Sequence, residues 1–312
     1  MKKVVVLGGG TGMSTLLKGL KLFPLDITAV VSVCDDGQST GRLREEFNIP
    51  AVGDIRKVIV SLSETEPLFE KLLNYRFKTT SDLNGHAVGN LLLAALININ
   101  GNMSEGIKTI EKVLKLKGNV LPLTEDSPIL VADMKDGSKI IGEHNITETM
   151  KEIERISYKD EPAVNPEVIK KIMEADLIIL SMGSLYTSII PNLLLKKVID
   201  AIDKSKAKLM YIFNMMTQPG ETDQYKVSDH INTINQYLGE KKIQIVVANK
   251  GIISKSILKK YETKEQKEQV QLDRKNIKNV RLITGNYVKI EDNVIRHKVD
   301  QLSLDIYGYL IR

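Results

Sequence analysis

Val4-Val5-Val6-Leu7-Gly8-Gly9-Gly10-Thr11-Gly12-Met13-Ser14-Thr15-Leu16-Leu17-Lys18-Gly19-Leu20 decides the fold. The valines and Leu7 read as a short strand, the glycines as a tight turn, and Leu16, Leu17 and Leu20 fall at helical spacing. Strand, glycine turn and helix open a βα unit. Glycines let the chain turn sharply and bring amide hydrogens close to an anion, and the following helix adds its positive end. The loop therefore reads as a phosphate or diphosphate seat, with Gly9, Gly10, Thr11, Gly12 and Ser14 as candidate contacts. The competing reading is a tight turn without ligand. No Gly-Lys-Ser/Thr ending follows, which excludes a nucleoside-triphosphatase loop, and Met13 stands where a dinucleotide fingerprint would place a glycine. That disfavours a nicotinamide-dependent oxidoreductase.

Outward from this stretch the rhythm repeats. An apolar run at 27–33 ends at Asp35-Asp36-Gly37, and helices are expected at 42–47, 54–62 (Asp54 at or near its N-cap), 87–96 and 103–116. Between 120 and 156 the pattern changes. Runs at 129–134 and 139–143 flank Lys135-Asp136-Gly137-Ser138, which reads as a hairpin inserted into the fold rather than a separate domain. After Pro166 the alternation returns, with helices at 167–174, about 192–202 and near 227–238, and strands at 177–181, 209–213 and 243–248. Continuous Val/Ile/Leu runs suggest strands covered on both faces. The expectation is an α/β chain: a Rossmann-like, doubly wound, mainly parallel sheet with a β-hairpin insertion at about 120–156, all in one domain over 1–312. Right-handed crossovers then gather the strand-following loops on one edge.

Composition sets the outer limits. With 312 residues, 42% of them hydrophobic, the chain should bury roughly 75% of its unfolded surface without disulfides or metals. Cys34 is the single cysteine, so no disulfide forms within the chain; it reads as a small packing residue in a reducing compartment. The N-terminal apolar run stops at glycines too early for a signal peptide, and no stretch approaches the roughly 20 apolar residues of a membrane span. Cytoplasmic location without membrane insertion is expected. The net charge of +5 is a mild excess on a mixed surface, and the richest basic stretch, 255–267, is interleaved with Glu262 and Glu265. With no tryptophan and 5% aromatics, nucleic-acid binding is not expected.

The other strand-end loops carry the remaining chemistry. In Cys34-Asp35-Asp36-Gly37-Gln38-Ser39-Thr40-Gly41-Arg42, an acidic group can accept from ribose hydroxyls, or Asp35 and Asp36 can hold a magnesium ion that bridges phosphates. A solvated acidic turn explains the loop equally well. Arg42 and Arg44 would balance anionic charge. In Gly53-Asp54-Ile55-Arg56, helix capping is the cheap account of Asp54. His86 and Asn90 are spaced to share a helical face, and His144, His230 and His297 are isolated; nothing here has metal-ligand spacing. Gly183-Ser184-Leu185-Tyr186-Thr187-Ser188 follows a strand and is a second phosphate or sugar loop, without the elbow of a hydrolase. Asn214 and Thr217-Gln218-Pro219-Gly220-Glu221-Thr222 form a third strand-end loop with several hydrogen-bonding groups. Arg296, after Val294-Ile295, contacts an anion or merely ends a strand.

Taken in order, these glycine, Asp-Asp-Gly, Gly-Asp-Ile-Arg and Gly-His…Gly-Asn segments resemble the YvcK/CofD-like family over nearly the whole chain. The 183–188 loop and Met216-Thr217-Gln218-Pro219-Gly220-Glu221-Thr222 are similar to its gluconeogenesis-factor branch. The resemblance implies one nucleotide site built from Gly9, Gly10, Thr11, Gly12, Ser14, Asp36, Ser39, Arg42, Asp54, Asn90, Gly183, Ser184 and Asn214, with Tyr261 and Arg296 as further sugar-nucleotide contacts. It also implies a bacterial regulator that binds UDP-sugars such as UDP-N-acetylglucosamine. Such a regulator supports cell shape and wall-precursor supply on gluconeogenic carbon, needs no cofactor and acts through a protein partner; a homo-oligomer is left open. The family's transferase branch moves a phospho-lactyl group with magnesium, so a magnesium-dependent transferase is the alternative. Three departures concern loop geometry: Gln38 in place of a glycine, Ser181-Met182 in place of Gly-Pro, and Ala51-Val52 in place of Pro-Pro.

Overall fold

Strand β1 (Lys2–Gly8) buries everything from Val4 onward, and its alternation sorts the side chains: Val4 and Val6 enter one apolar core, Val5 and Leu7 another. A strand pleat sends successive residues to opposite faces, so two cores on either side of one sheet follow directly. In this computed structural model, which describes residues 1–292 and 294–312, the same division recurs along the sheet. The strands are β2 (Leu25–Val31), β3 (Asn119–Pro122), β7 (Leu177–Leu180), β8 (Lys208–Ile212), β9 (Ile245–Asn249) and β10 (Arg281–Gly285). All pairings are parallel and the spatial order is β10-β9-β8-β7-β1-β2-β3. The chain thus winds outward from β1 to β3, returns to the other side of β1, and winds outward again. The reversal lies between β1 and β7, where α/β sheets open a crevice at their carboxyl ends.

The insertion is larger than a hairpin and begins later than expected. β4 (Leu130–Met134) pairs antiparallel with both β5 (Lys139–Ile141) and β6 (Ile153–Tyr158), and the short helix Glu143–Glu148 lies between the last two. Residues 120–122, placed in the insertion from sequence, belong instead to β3 at the edge of the central sheet. Leu130, Ala132, Met134, Ile146 and Ile156 join the same core as Val5 and Leu7, so the insertion has no separate core. The helix expected from about 192 is preceded by a π-helical turn, Leu185–Ile189, and a 3₁₀ turn, Ile190–Leu193, before Lys196–Lys204. Hairpin strands β11 (Val288–Glu291) and β12 (Val294–His297) and the final helix Val299–Leu310 complete the chain. Among the described residues no helix is long and apolar enough to cross a membrane.

Candidate functional site

The glycines of the first loop are required by what lies against them. Gly10 begins the helix Gly10–Leu20 at φ +70, a left-handed value that side chains avoid. A Cβ on Gly9 would come within 2.7 Å of Asp54 Oδ2, and one on Gly12 would overlap the carbonyl of Met182. The loop after β1 is therefore wedged between the loop after β7 and the helix Gly53–Leu62. Its hydroxyls turn inward: Ser14 donates to the Gly10 carbonyl at 3.0 Å and Thr15 to that of Thr11 at 2.8 Å. Thr11 itself is exposed.

On one side of Gly10 lies a cavity of about 230 Å³ lined with carboxylates. Asp35, Asp54, Glu143 and Glu221 face it, with Lys57, Ser184, Thr187, Ser188 and Gln218. Burial, reinforced by Asp35, Asp36 and Asp54, pushes the Glu143 carboxyl up to about 7; Thr187 bonds to it. Burial and Asp54 also raise Asp35, and burial raises Glu221 despite hydrogen bonds from Ser184 and the Tyr186 amide. Only Asp54 is ion-paired there, to Lys57 at 2.9 Å. Glu143 and Glu221 were not singled out from sequence. Glu143 stands in the insertion, where no motif spacing points to the site.

On the other side, around Thr11, a groove of about 410 Å³ runs past Asn214, Gln218, Tyr261, Lys267 and Arg296. Gln218 lines both compartments. Asn214 donates to the Gly183 carbonyl at 2.6 Å, tying the loops after β7 and β8 together. Tyr261 is buried, and its hydroxyl accepts from the Ile295 amide at 2.9 Å. It thereby pins the strand that carries Arg296. Lys267 pairs with Glu265, whereas Arg296 has no ion-pair partner among the described residues. A larger recess of about 620 Å³ lies at the amino edge of the sheet, around Phe23, Asp26, Lys117 and Asn119, far from every glycine loop.

The fold and loops have close counterparts. The family description "2-phospho-L-lactate transferase CofD" matches residues 4–288. The chain belongs to the CofD/YvcK family. Its CofD/YvcK relatives include the gluconeogenesis factor of Bacillus subtilis, 45% identical over 310 residues and covering 97% of this chain and 98% of that one. The gluconeogenesis factor of Halalkalibacterium halodurans is 44% identical, covering 97% and 94%. A crystal structure of a Bacillus halodurans protein superposes with a TM-score of 0.95 at 42% identity, covering 100% of this chain and 99% of that one.

Other residues of the CofD/YvcK pattern take supporting places. Both oxygens of Asp36 accept backbone amides of the insertion helix, from Glu143 at 3.1 Å and His144 at 2.8 Å. Asp36 docks the insertion. Asp54 does not cap its helix; it sits in the first turn and reaches the glycine loop. Ser39 bonds His86 Nδ1 at 2.9 Å, and Asn90 is buried with its Oδ1 lacking a hydrogen-bond partner. His86 precedes the helix Val88–Asn100, so it does not share a helical face with Asn90. Arg42 is exposed, while Arg44 donates to the carbonyls of Cys34, Asp35 and Pro128. Cys34 is buried, which pushes its thiol up to about 11. Gln38, where a glycine is usual, holds φ +34, so the loop keeps a left-handed turn without one.

Proposed function

We propose that this chain is a nucleotide-sugar-binding regulatory protein that seats a UDP-sugar at the switch point of its sheet. One observation carries the reading: the glycine loop separates a groove bearing Arg296 from a carboxylate-lined cavity, and Gln218 borders both. A diphosphate on the amides of Gly9, Gly10 and Gly12 would leave its two substituents in the two compartments. The CofD/YvcK membership and the gluconeogenesis-factor names of its relatives support the further reading of a cytoplasmic regulator of cell morphogenesis and wall-precursor supply on gluconeogenic carbon, working through a protein partner.

The acidic cavity supports a second reading, a magnesium-dependent transferase. Asp36 is occupied by the insertion, so Asp35 and Asp54 would hold the ion, and magnesium commonly takes only one or two carboxylates plus substrate phosphates. Bound there, the ion would neutralise phosphate charge.

A thermal-shift series with UDP-N-acetylglucosamine, UDP-glucose, GTP, NAD and magnesium separates the readings. A ligand at 100 times its Kd adds about 2.7 kcal/mol of apparent stability. A UDP-sugar shift that survives chelation is the expected result. A shift by GTP that requires magnesium would replace the regulator with the transferase, and silence towards every nucleotide would remove both.

A further inference from the structure

The central sheet is open at its β10 edge. Among the described residues β10 pairs with β9 alone. The Arg281 amide donates to the Gln244 carbonyl at 2.9 Å, and the Gly285 carbonyl accepts from the Lys250 amide at 2.8 Å, so alternate residues from Arg281 onward spend their backbone groups on β9. The residues between them, Leu282 and Thr284, turn their amides and carbonyls outward, where no backbone partner meets them among the described residues. A groove of about 520 Å³ follows this edge, lined by the consecutive residues 281–284 and by Leu304 and Tyr309 of the helix Val299–Leu310. Successive side chains of a strand point to opposite faces, so an unbroken run lines one groove only where the strand edge itself is its floor.

The charge around the groove is one-sided. Arg281 lies over the Tyr309 ring, 4.9 Å from its centroid, and Arg312 lines the groove as well; neither has an ion-pair partner among the described residues. Exposed Arg274, Lys275 and Lys278 lead into the strand. The carboxylate that lines the groove, Asp305, is already engaged, accepting from the Tyr287 hydroxyl at 2.7 Å and the Gln301 amide group at 3.0 Å. Charges on an edge strand often serve only to block pairing. Here Arg281 is drawn back onto the helix, and the groove offers an apolar contact in Leu304, which is half exposed. We propose that the outer edge of β10 docks an acidic, extended segment of another protein, which adds to the sheet as a further strand. Its main chain pairs with Leu282 and Thr284, its carboxylates meet Arg281 and Arg312, and its apolar residues reach Leu304. A second copy of this chain would set arginine against arginine along the same edge, so the charge selects a different, acidic occupant. The docking rests on the strand edge and holds whether or not the glycine loop binds a nucleotide sugar.

The probe is a fluorescein-labelled peptide that alternates glutamate with valine, added to the full chain. Main-chain bonds supply much of the affinity in docking of this kind, so a generic sequence suffices. Anisotropy should rise saturably, and hydrogen exchange should slow about tenfold or more at the Leu282 and Thr284 amides. The same peptide with every backbone amide methylated keeps its charge, cannot pair, and should bind about tenfold or more weakly. Arg281→Glu/Arg312→Glu should lose the acidic peptide and accept one that alternates lysine with valine, with circular dichroism unchanged. Absence of binding at millimolar peptide, binding that survives methylation, or equal binding of the lysine peptide by the wild type would each overturn the inference. A change in sedimentation between the wild type and the charge-reversed variant would overturn it too, by giving the edge to a second copy.

Discussion

Gly12 shows how one position can serve packing and binding together. Any Cβ there meets the Met182 carbonyl, a backbone atom that cannot swing aside. Gly12→Ala should therefore destabilise the chain by about 3 kcal/mol, read from the urea midpoint, whether or not ligand is present. Glu143 makes a different residue-level statement. Its carboxyl is raised from 4.5 to about 7, so between those values the folded chain keeps a proton that the unfolded chain has released. The stability this group contributes is full below about 4.5 and declines as pH rises through 7. In chelating buffer, Glu143→Gln should flatten the fall of Tm between pH 5 and 7; an unchanged profile would show that Glu143 titrates normally. The glycine loop was legible in sequence because a sharp turn demands glycine locally. Glu221 was read only as one member of a strand-end loop, and Glu143 was not read at all, because its arrival at the site depends on where an insertion docks and no spacing encodes that.

At the level of elements, the long apolar runs were read well. β1, β7, β8 and β9 are covered on both faces, so burial and sequence agree. The edges were harder. β10 is only half-buried over most of its length and carries an arginine and a threonine, and β3 is a four-residue strand ending in proline that reads as the approach to a loop. Of the C-terminal hairpin, the sequence suggested only a strand end after Val294-Ile295; its partner Val288–Glu291 has little buried surface to impose a pattern. Yet this hairpin presents Arg296 to the groove, and Tyr261 fixes it from the helix Lys255–Glu265 through the Ile295 amide. Tyr261→Phe keeps the ring and removes that bond, at a cost of about 1 kcal/mol. If Tyr261 acts by positioning, calorimetric titration should show a several-fold weaker UDP-N-acetylglucosamine affinity, with a smaller loss than for Arg296→Ala. An equal or greater loss would mean that the tyrosine touches the ligand itself.

The whole molecule is organised by one sheet with a core on each face, and this settles how it should unfold. The insertion has an alternation in sequence that differs from that of the flanking βα units, yet it reads as part of the same domain. In space, β4 and β6 deliver Leu130, Ala132 and Ile156 into the core that also holds Val5, Leu7 and Ile178. Asp36 fastens the insertion helix to the loop after β2, and Tyr158 donates to the Pro191 carbonyl at 2.8 Å, linking it to the loop after β7. An element whose apolar residues are shared this fully cannot melt while the sheet survives. Leu130→Ala should therefore lower the stability of the entire chain by about 2–5 kcal/mol and leave a single transition. Tyrosine fluorescence and far-ultraviolet circular dichroism should then trace coincident urea curves in both wild type and variant. A separate early transition in the variant would instead make the insertion an independent unit. The acidic cavity would then have a detachable wall, because Glu143 would leave with it.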